Sequence, residues 1–268
     1  MLKDISIGRF YRGDSVIHKL DPRLKTILFV LFMVAVFMLE NPYAIGCLIV
    51  FAVVLQIMAK IPLKVMWNTI KPILPIVILI FVLNSLTIRE GKEVFSWRRI
   101  LITDEGLKSA TLMSLRLLMM IFITSIILTL TTTPLKLSEA LEKLFSPLKL
   151  IRFPVHEMAM MMSIALRFIP TLIDETDKIM KAQVSRGADY DTGTILRRLK
   201  GYVTVLVPLF VSSFRRADEL STAMDARCYN GGEGRTKLHP LHITARDVII
   251  FIILALCAVA LVVVEKTI

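Results

Sequence analysis

Two arginines stand in matched surroundings, each closing a helix-forming run. The first run ends Asp177-Lys-Ile-Met-Lys-Ala-Gln-Val-Ser185-Arg186-Gly187, the second Asp218-Glu-Leu-Ser-Thr-Ala-Met-Asp-Ala226-Arg227-Cys228. At an offset of 41 residues Asp177 falls on Asp218, Ala182 on Ala223 and Arg186 on Arg227. A guanidinium is planar, always charged, and grips a carboxylate through two parallel hydrogen bonds, which an ammonium cannot do. Small neighbours leave it uncovered. A lone arginine here is explained by the helix macrodipole, which favours a cation at the C-terminus. A matched pair suits a partner with two equivalent acidic grooves, such as a dimeric machine.

Composition indicates where these helices must sit. The chain has 268 residues, 55% of them hydrophobic, with 33 Lys+Arg against 22 Asp+Glu. Its mean hydropathy is +0.69, and the apolar share exceeds that of an ordinary soluble domain. Nucleic-acid binding explains basicity but not long uncharged apolar runs. A polytopic membrane protein with basic cytoplasmic loops explains both. Cys47, Cys228 and Cys257 form no CxxC and no even set, so no disulfide framework is implied. Residues 1–25 hold six basic and three acidic side chains before the first apolar run, which reads as a retained span and not a cleaved signal.

Uncharged stretches fall at 26–39, 41–59, 72–88, 117–135 and 248–264. A spanning helix needs about 20 apolar residues, so the last four are adequate and the first is short. Leu24 and a snorkelling Lys25 extend it. Glu40-Asn41-Pro42 predicts a tight turn, and Pro72 and Pro75 are placed at the start of the third span. Counting Lys and Arg puts 26 of the 33 in segments 1–25, 60–71 and 136–247, which favours a cytoplasmic N-terminus and an outside C-terminus. The loop 89–116, with Arg98, Arg99 and Arg116, is then outside. All five runs are free of ionisable residues.

The interval 136–247 predicts three further helices. Thr133-Pro134 is a helix start, followed by Leu137, Leu141, Leu144 and Leu148 on one face. A second helix runs from about His156 to Arg186, with Leu166, Ile169, Ile173, Met180 and Val184 aligned. A third runs from about Leu199 to Arg227, with Val207, Phe210, Phe214, Ala217 and Met224 aligned. Gly187 and Gly231-Gly232 are the expected stops. Because Cys228 adopts positive φ less readily than glycine, the third helix is expected to end later, near Asn230-Gly231. The fold class is thus all-α: about five transmembrane helices plus long amphipathic helices at the cytoplasmic interface. The expected divisions are 1–25, 26–133, 134–243 and 244–268.

At these residues the sequence resembles the transmembrane T component of energy-coupling factor transporters, a branch of the ATP-binding-cassette importers that includes cobalt transport proteins. His18-Lys-Leu-Asp21-Pro22-Arg23-Leu-Lys25 is similar to that family's opening motif. Ala165-Leu-Arg167-Phe-Ile-Pro170 and the paired Ala-Arg-Gly-type motifs are similar to its coupling region. The resemblance covers essentially the whole chain. It implies two coupling helices whose terminal arginines dock on two ATPase subunits, identical or homologous, through Ser185-Arg186-Gly187 and Ala226-Arg227-Cys228. Ser185 and Cys228 depart from the pattern. It also implies a separate substrate-binding membrane subunit (the S component) that topples to deliver a micronutrient, a vitamin in the favoured case. This chain would be a non-catalytic scaffold in a bacterial or archaeal cell membrane. It would bind no cofactor, with ATP and magnesium on the partner ATPases. A dedicated cobalt or nickel importer is the alternative within the family.

Other motifs carry less. No Gly-x4-Gly-Lys-Ser/Thr occurs, so no P-loop is expected, and Gly231-Gly-Glu-Gly234 reads as a loop. His239-Pro-Leu-His242 has no completing cluster for a metal. Met158 and Met160 to Met162 read as adaptable packing. Asp174, Glu175 and Asp177 read as solvated, or paired with Lys178 and Lys181. Asp21 reads as a helix cap and Arg23 as a headgroup contact, although the resemblance suggests that they join the membrane domain to the coupling helices. A self-sufficient secondary transporter needs ionisable residues inside its spans, and a membrane enzyme needs a tighter acid or histidine cluster.

Overall fold

The computed structural model describes residues 10–11, 13–88, 92–97, 100–188, 194–232 and 241–267. Arg98, Arg99, Gly234 and His239 lie outside the described residues. The chain divides into two compact units, Gly8–Ala140 with Leu241–Ile268, and Leu141–Pro240. The division falls inside one helix, α7 (Pro134–Leu144).

The first unit holds α1 (Val16–Lys19), α2 (Pro22–Phe37), α3 (Pro42–Ala59), α4 (Leu63–Ile70), α5 (Leu74–Thr87), α6 (Asp104–Thr124) and α10 (Ala245–Thr267). Among the described residues four helical segments are long and apolar enough to cross a membrane: Pro42–Ala59, Leu63–Thr87, Asp104–Thr129 and Ala245–Thr267. The protein is therefore a polytopic helical membrane protein. The expected first span is α2, whose 16 residues extend about 24 Å, short of the roughly 30 Å hydrocarbon core. Even so, it is central to the unit. Leu28, Phe32 and Val36 of α2 are buried with Leu48 and Leu55 of α3, Ile123 of α6, and Leu254 and Leu261 of α10. Their spacing of four or seven puts one stripe of each helix into the core. Ala35, Ala44, Ala52 and Ala258 are buried there as well, and small side chains let apolar helices approach closely where water supplies no driving force. Phe32 and Phe51 stack with ring centroids 4.9 Å apart.

Three expectations about the spans need correction. The third span does not begin at Pro72: α4, a 3-10 turn (Lys71–Ile73) and α5 form one 25-residue run, with both prolines inside it. Each proline sits within the first two positions of the segment after a change of helix type, where its missing N–H costs least. The fourth span begins at Asp104 and not at 117, so Lys108 and Arg116 belong to a helix and the spans are not free of charge. The Arg116 Nη2 donates to the Leu39 carbonyl just past the end of α2. Its charge thus satisfies a helix-end oxygen. Third, the region before α6 is a short antiparallel hairpin, β1 (Glu93–Trp97) with β2 (Ile100–Thr103), in which Ser96 faces Leu101. Among the described residues the other regular elements are helices.

The α5–α6 junction depends on one hydroxyl and one glycine. Thr103 Oγ1 accepts from the Gly106 N–H at 3.2 Å, capping α6, and donates to the Ile88 carbonyl at 3.1 Å. A Cβ on Gly106 would lie 2.7 Å from that carbonyl and 2.8 Å from Thr103 Oγ1. Gly106, Ala110 and Ser114 recur every four residues on the buried face of α6, which packs closely against α5. Beyond α6 the chain forms a π-helical turn (Ser125–Thr129), with the Leu130 N–H bonded to Ser125 O at 2.8 Å.

The second unit contains α8 (Val155–Ser185) and α9 (Ile195–Ala226). Leu148, expected on the α7 face, lies past the end of α7 in a separate 3-10 turn (Ser146–Ile151) that contains Pro147. His156 Nδ1 meets Glu142 Oε1 at 3.1 Å. Gly232 packs so closely on that imidazole that a Cβ would come within 2.4 Å of His156 Cδ2.

Gly106→Ala should destabilise the purified protein by about 1–3 kcal/mol, because backbone and cap both occupy the space a methyl needs. A thermal melt in detergent that matches wild type would contradict this account of the α5–α6 junction.

Candidate functional site

The two long helices end in the same hydrogen-bonded turn. In α8 the Gly187 N–H bonds to Val184 O at 2.9 Å and the Ala188 N–H to Gln183 O at 2.9 Å. In α9 the Cys228 N–H bonds to Asp225 O at 2.9 Å and the Tyr229 N–H to Met224 O at 3.0 Å. Each is a complete Schellman turn, which satisfies carbonyls that a helix end otherwise leaves open. Arg186 (φ −92°, ψ 7°) and Arg227 (φ −95°, ψ 14°) are the two C-cap residues. The offset of 41 residues therefore superposes geometry as well as sequence. Gly187 supplies the left-handed residue of the first turn at φ 89°.

Cys228 supplies that residue of the second turn at φ 54°, which corrects the expectation that α9 runs on to Asn230-Gly231. The two capping bonds outweigh the roughly 1–2 kcal/mol steric cost of a Cβ in that region. Ser185 is also accommodated: its Oγ donates to Lys181 O at 3.1 Å within the last turn of α8. Ser185, Arg186, Gly187, Ala226, Arg227 and Cys228 are all exposed. Among the described residues no carboxylate pairs with Arg186 or Arg227.

The helices meet at a polar clip well before their ends. Arg216 Nη2 donates to Glu175 Oε2 at 2.6 Å, and Ser212 Oγ donates to Glu175 Oε1. Glu175 thus pairs across to α9 and not with Lys178 or Lys181 on its own helix. Glu175 and Arg216 are themselves 41 residues apart. The clip lies eleven residues before Arg186 on α8 and eleven before Arg227 on α9. At 1.5 Å per residue each arginine stands about 16 Å along its helix from the clip. Neither arm contains proline. Pro170 and Pro208 both lie upstream of the clip, where each removes a backbone bond and loosens its helix. Arg167 and Pro170 are exposed on α8, and the structure does not bring them to either helix end. Arg167 is 19 residues from Arg186.

The same helices leave large apolar side chains uncovered. Met158, Met161 and Met162 on α8, and Val207, Phe210, Val211 and Phe214 on α9, are exposed, Phe214 at 68%. Such a concentration of exposed aromatic, branched and methionine side chains marks a surface made for protein or lipid.

The opening motif lies in the first unit and acts there as a clamp. Asp21 is buried and caps α2, accepting from the Arg23 N–H at 2.8 Å, with Pro22 in the first turn. Arg23 does not point to headgroups. Its Nη2 donates to the Leu241 carbonyl at 3.1 Å, where the chain re-enters this unit ahead of α10. Lys25 does not snorkel: it is 1% exposed. Its Nζ reaches Thr131 O at 2.8 Å, Thr132 Oγ1 at 3.2 Å, Thr131 Oγ1 at 3.3 Å and His18 O at 3.4 Å. One turn of α2 therefore holds the residues just before the chain leaves this unit and those where it returns. Sequence reading took Lys25 for a snorkelling flank, the commoner role of a lysine beside an apolar run, and so passed over its partners Thr131 and Thr132.

His18 completes the clamp. Its Nε2 contacts Tyr11 O at 2.9 Å and its Nδ1 contacts Ser15 Oγ at 2.6 Å, a pairing suited to the neutral ring. Burial lowers its pKa from the usual 6.5. The Lys25 charge pushes the same way, while the bond to Tyr11 opposes. The folded state thus resists a proton that the unfolded chain accepts near pH 6.5. The stability this contributes is present above that pH and is lost as pH falls through it.

The family model described as a cobalt transport protein matches residues 13–238. The curated relatives matched include three named energy-coupling factor transporter transmembrane protein EcfT. That of Ruminiclostridium cellulolyticum is 49% identical over 93% of both chains. That of Clostridium kluyveri is 46% identical over 98% of this chain and 96% of its own. That of Bacillus subtilis is 43% identical over 97% of this chain and 98% of its own.

Two outcomes are expected. Replacing both Glu175 and Arg216 by Ala should show a coupling energy of about 1 kcal/mol in thermal melts, modest because the pair is partly exposed. Fully additive single substitutions would mean that the clip holds nothing. The melting temperature should fall more steeply between pH 7.5 and 5.5 in wild type than in His18→Gln, and equal slopes would remove His18 from the pH response.

Proposed function

We propose that this chain, which belongs to the family of energy-coupling factor transporter transmembrane proteins, is the lever and scaffold that transmits ATPase motion to a separate substrate-binding membrane subunit. The observation that carries the reading is the pair of C-cap arginines, each on an identical turn and each the same distance from the Glu175–Arg216 clip. Two ATPase subunits, identical or homologous, supply two equivalent acidic grooves. Arg186 docks in one and Arg227 in the other, with bidentate pairing to carboxylate.

ATP and magnesium sit on those partners, and this chain contributes no catalytic group. When the ATPases move on binding and hydrolysing ATP, they displace the two arginine tips. The proline-free arms are rigid over about 16 Å, so displacement at the tips turns the helices about the clip. The upstream halves, loosened at Pro170 and Pro208, carry the exposed methionine and aromatic surface on which the S component rides. Rigid elements working about a fixed contact are an established means of transmitting such movements. In the first unit, the Asp21-Pro22-Arg23 clamp and Lys25 keep both chain connections in place while the helices move.

The excess of Lys and Arg in residues 1–25, 60–71 and 136–247 supports a cytoplasmic N-terminus and a cytoplasmic second unit in the cell membrane. The cargo we propose is a micronutrient delivered by the separate substrate-binding subunit, a vitamin in the favoured case, with a dedicated cobalt or nickel importer as the alternative.

Arg186→Glu with Arg227→Glu should abolish co-purification of the ATPases while the chain still inserts and expresses. Loss of a buried, hydrogen-bonded charge partner costs about 2–5 kcal/mol, so each arginine is worth about thirtyfold or more in affinity. Equal ATPase recovery with wild type and the double variant would reduce the arginines to helix-end residues.

A further inference from the structure

Between α4, the start of α5 and α6 the first unit has an open groove of about 590 Å³, with walls that include Met66, Trp67, Leu74, Leu118 and Phe122. That volume is in the range of small-molecule sites. The one charged side chain on its wall is Lys64, at the end formed by α4. Trp67 is exposed on α4 at 57%, as expected for an aromatic side chain at a membrane boundary.

The charge around this groove is one-sided. Lys60, Lys64 and Lys71 are all exposed, and no Asp or Glu occurs between Glu40 and Glu90. Among the described residues no carboxylate forms an ion pair with any of the three lysines. Lys64 and Lys71 are seven residues apart with Trp67 between them, so all three share one side of a helical run. A wholly apolar partner helix seated in the groove would cover its carbon wall but leave these cations without counter-charge. A phospholipid answers both features, since it brings an acyl chain and a phosphate in one molecule. Basic pockets between spanning helices on the cytoplasmic side are suited to anionic headgroups.

We infer that the groove between α4 and α6 binds an anionic phospholipid, with an acyl chain along Leu74, Leu118 and Phe122 and the phosphate at Lys64, in the field that Lys60 and Lys71 add from the same stretch of chain. This site is independent of ATPase docking and holds whether or not the arginine tips engage.

The test is native mass spectrometry of the full-length chain in detergent, titrated with phosphatidylglycerol and with phosphatidylcholine of identical acyl chains. Wild type should retain phosphatidylglycerol at least tenfold better. Lys64→Gln should weaken it about fivefold with phosphatidylcholine unchanged, as expected for about one lysine's share of the surface attraction. Lys60→Gln with Lys64→Gln and Lys71→Gln should erase the preference. These lysines are exposed, so the variants should keep the wild-type melting temperature. Equal retention of the two lipids by wild type would overturn the proposal, as would an undiminished preference in the triple variant. Cross-linking from position 67 to a partner subunit, with lipid excluded, would also overturn it by assigning the groove to a protein helix.

Discussion

The Glu175–Arg216 ion pair fixes the point at which two helices of 31 and 32 residues meet. An exposed apolar surface by itself gives such helices no register, because hydrophobic contact is non-directional. A carboxylate that accepts from a guanidinium and a hydroxyl is directional. It selects one residue of each helix, and those residues are related by the offset that relates the two terminal arginines. The equal arms follow from that choice. A clip one turn away on either helix would make the arms unequal by about 5 Å.

The first unit solves a different problem. The proposed lever requires a moving chain segment to leave and re-enter a membrane body without pulling it apart. Arg23 holds Leu241, and Lys25 holds Thr131 and Thr132. Both side chains come from the first turn of α2, whose own N-terminus is capped by Asp21. Removing one of these cations would leave buried carbonyls or hydroxyls without a donor, the costly side of the hydrogen-bond balance. Arg116 does similar work at the far end of α2, where it meets the Leu39 carbonyl. The short helix is thus pinned at both ends by basic side chains that bind backbone oxygen.

Much of this was legible in the sequence because apolar runs and matched arginines are strong, local signals. The helix ends at Arg186 and Arg227 follow from small residues and a repeated pattern. What was not legible depended on contacts distant in sequence. Lys25 and Arg23 flank an apolar run, and flank residues ordinarily reach water. Their partners lie 106 and 218 residues away, beyond any periodicity. Arg116 broke the rule that charge ends a span, because a carbonyl left open at Leu39 repays its burial. Cys228 was misjudged from side-chain preference alone, when two capping bonds decide the backbone. The Glu175–Arg216 pair was within reach, since the offset that aligned the arginines also sets these opposite charges on one another.

The proposed lever requires the two helix ends to be equivalent contacts for two separate ATPase subunits. Short-range thiol cross-linking in the assembled complex tests this, with Cys47 and Cys257 replaced by Ala, using native Cys228 at one tip and Ser185→Cys in a Cys228→Ser background at the other. Each tip alone should give an adduct of one chain with one ATPase, and both thiols together an adduct of one chain with two. Adducts from one tip only, or a single ATPase captured by both, would contradict the symmetric lever.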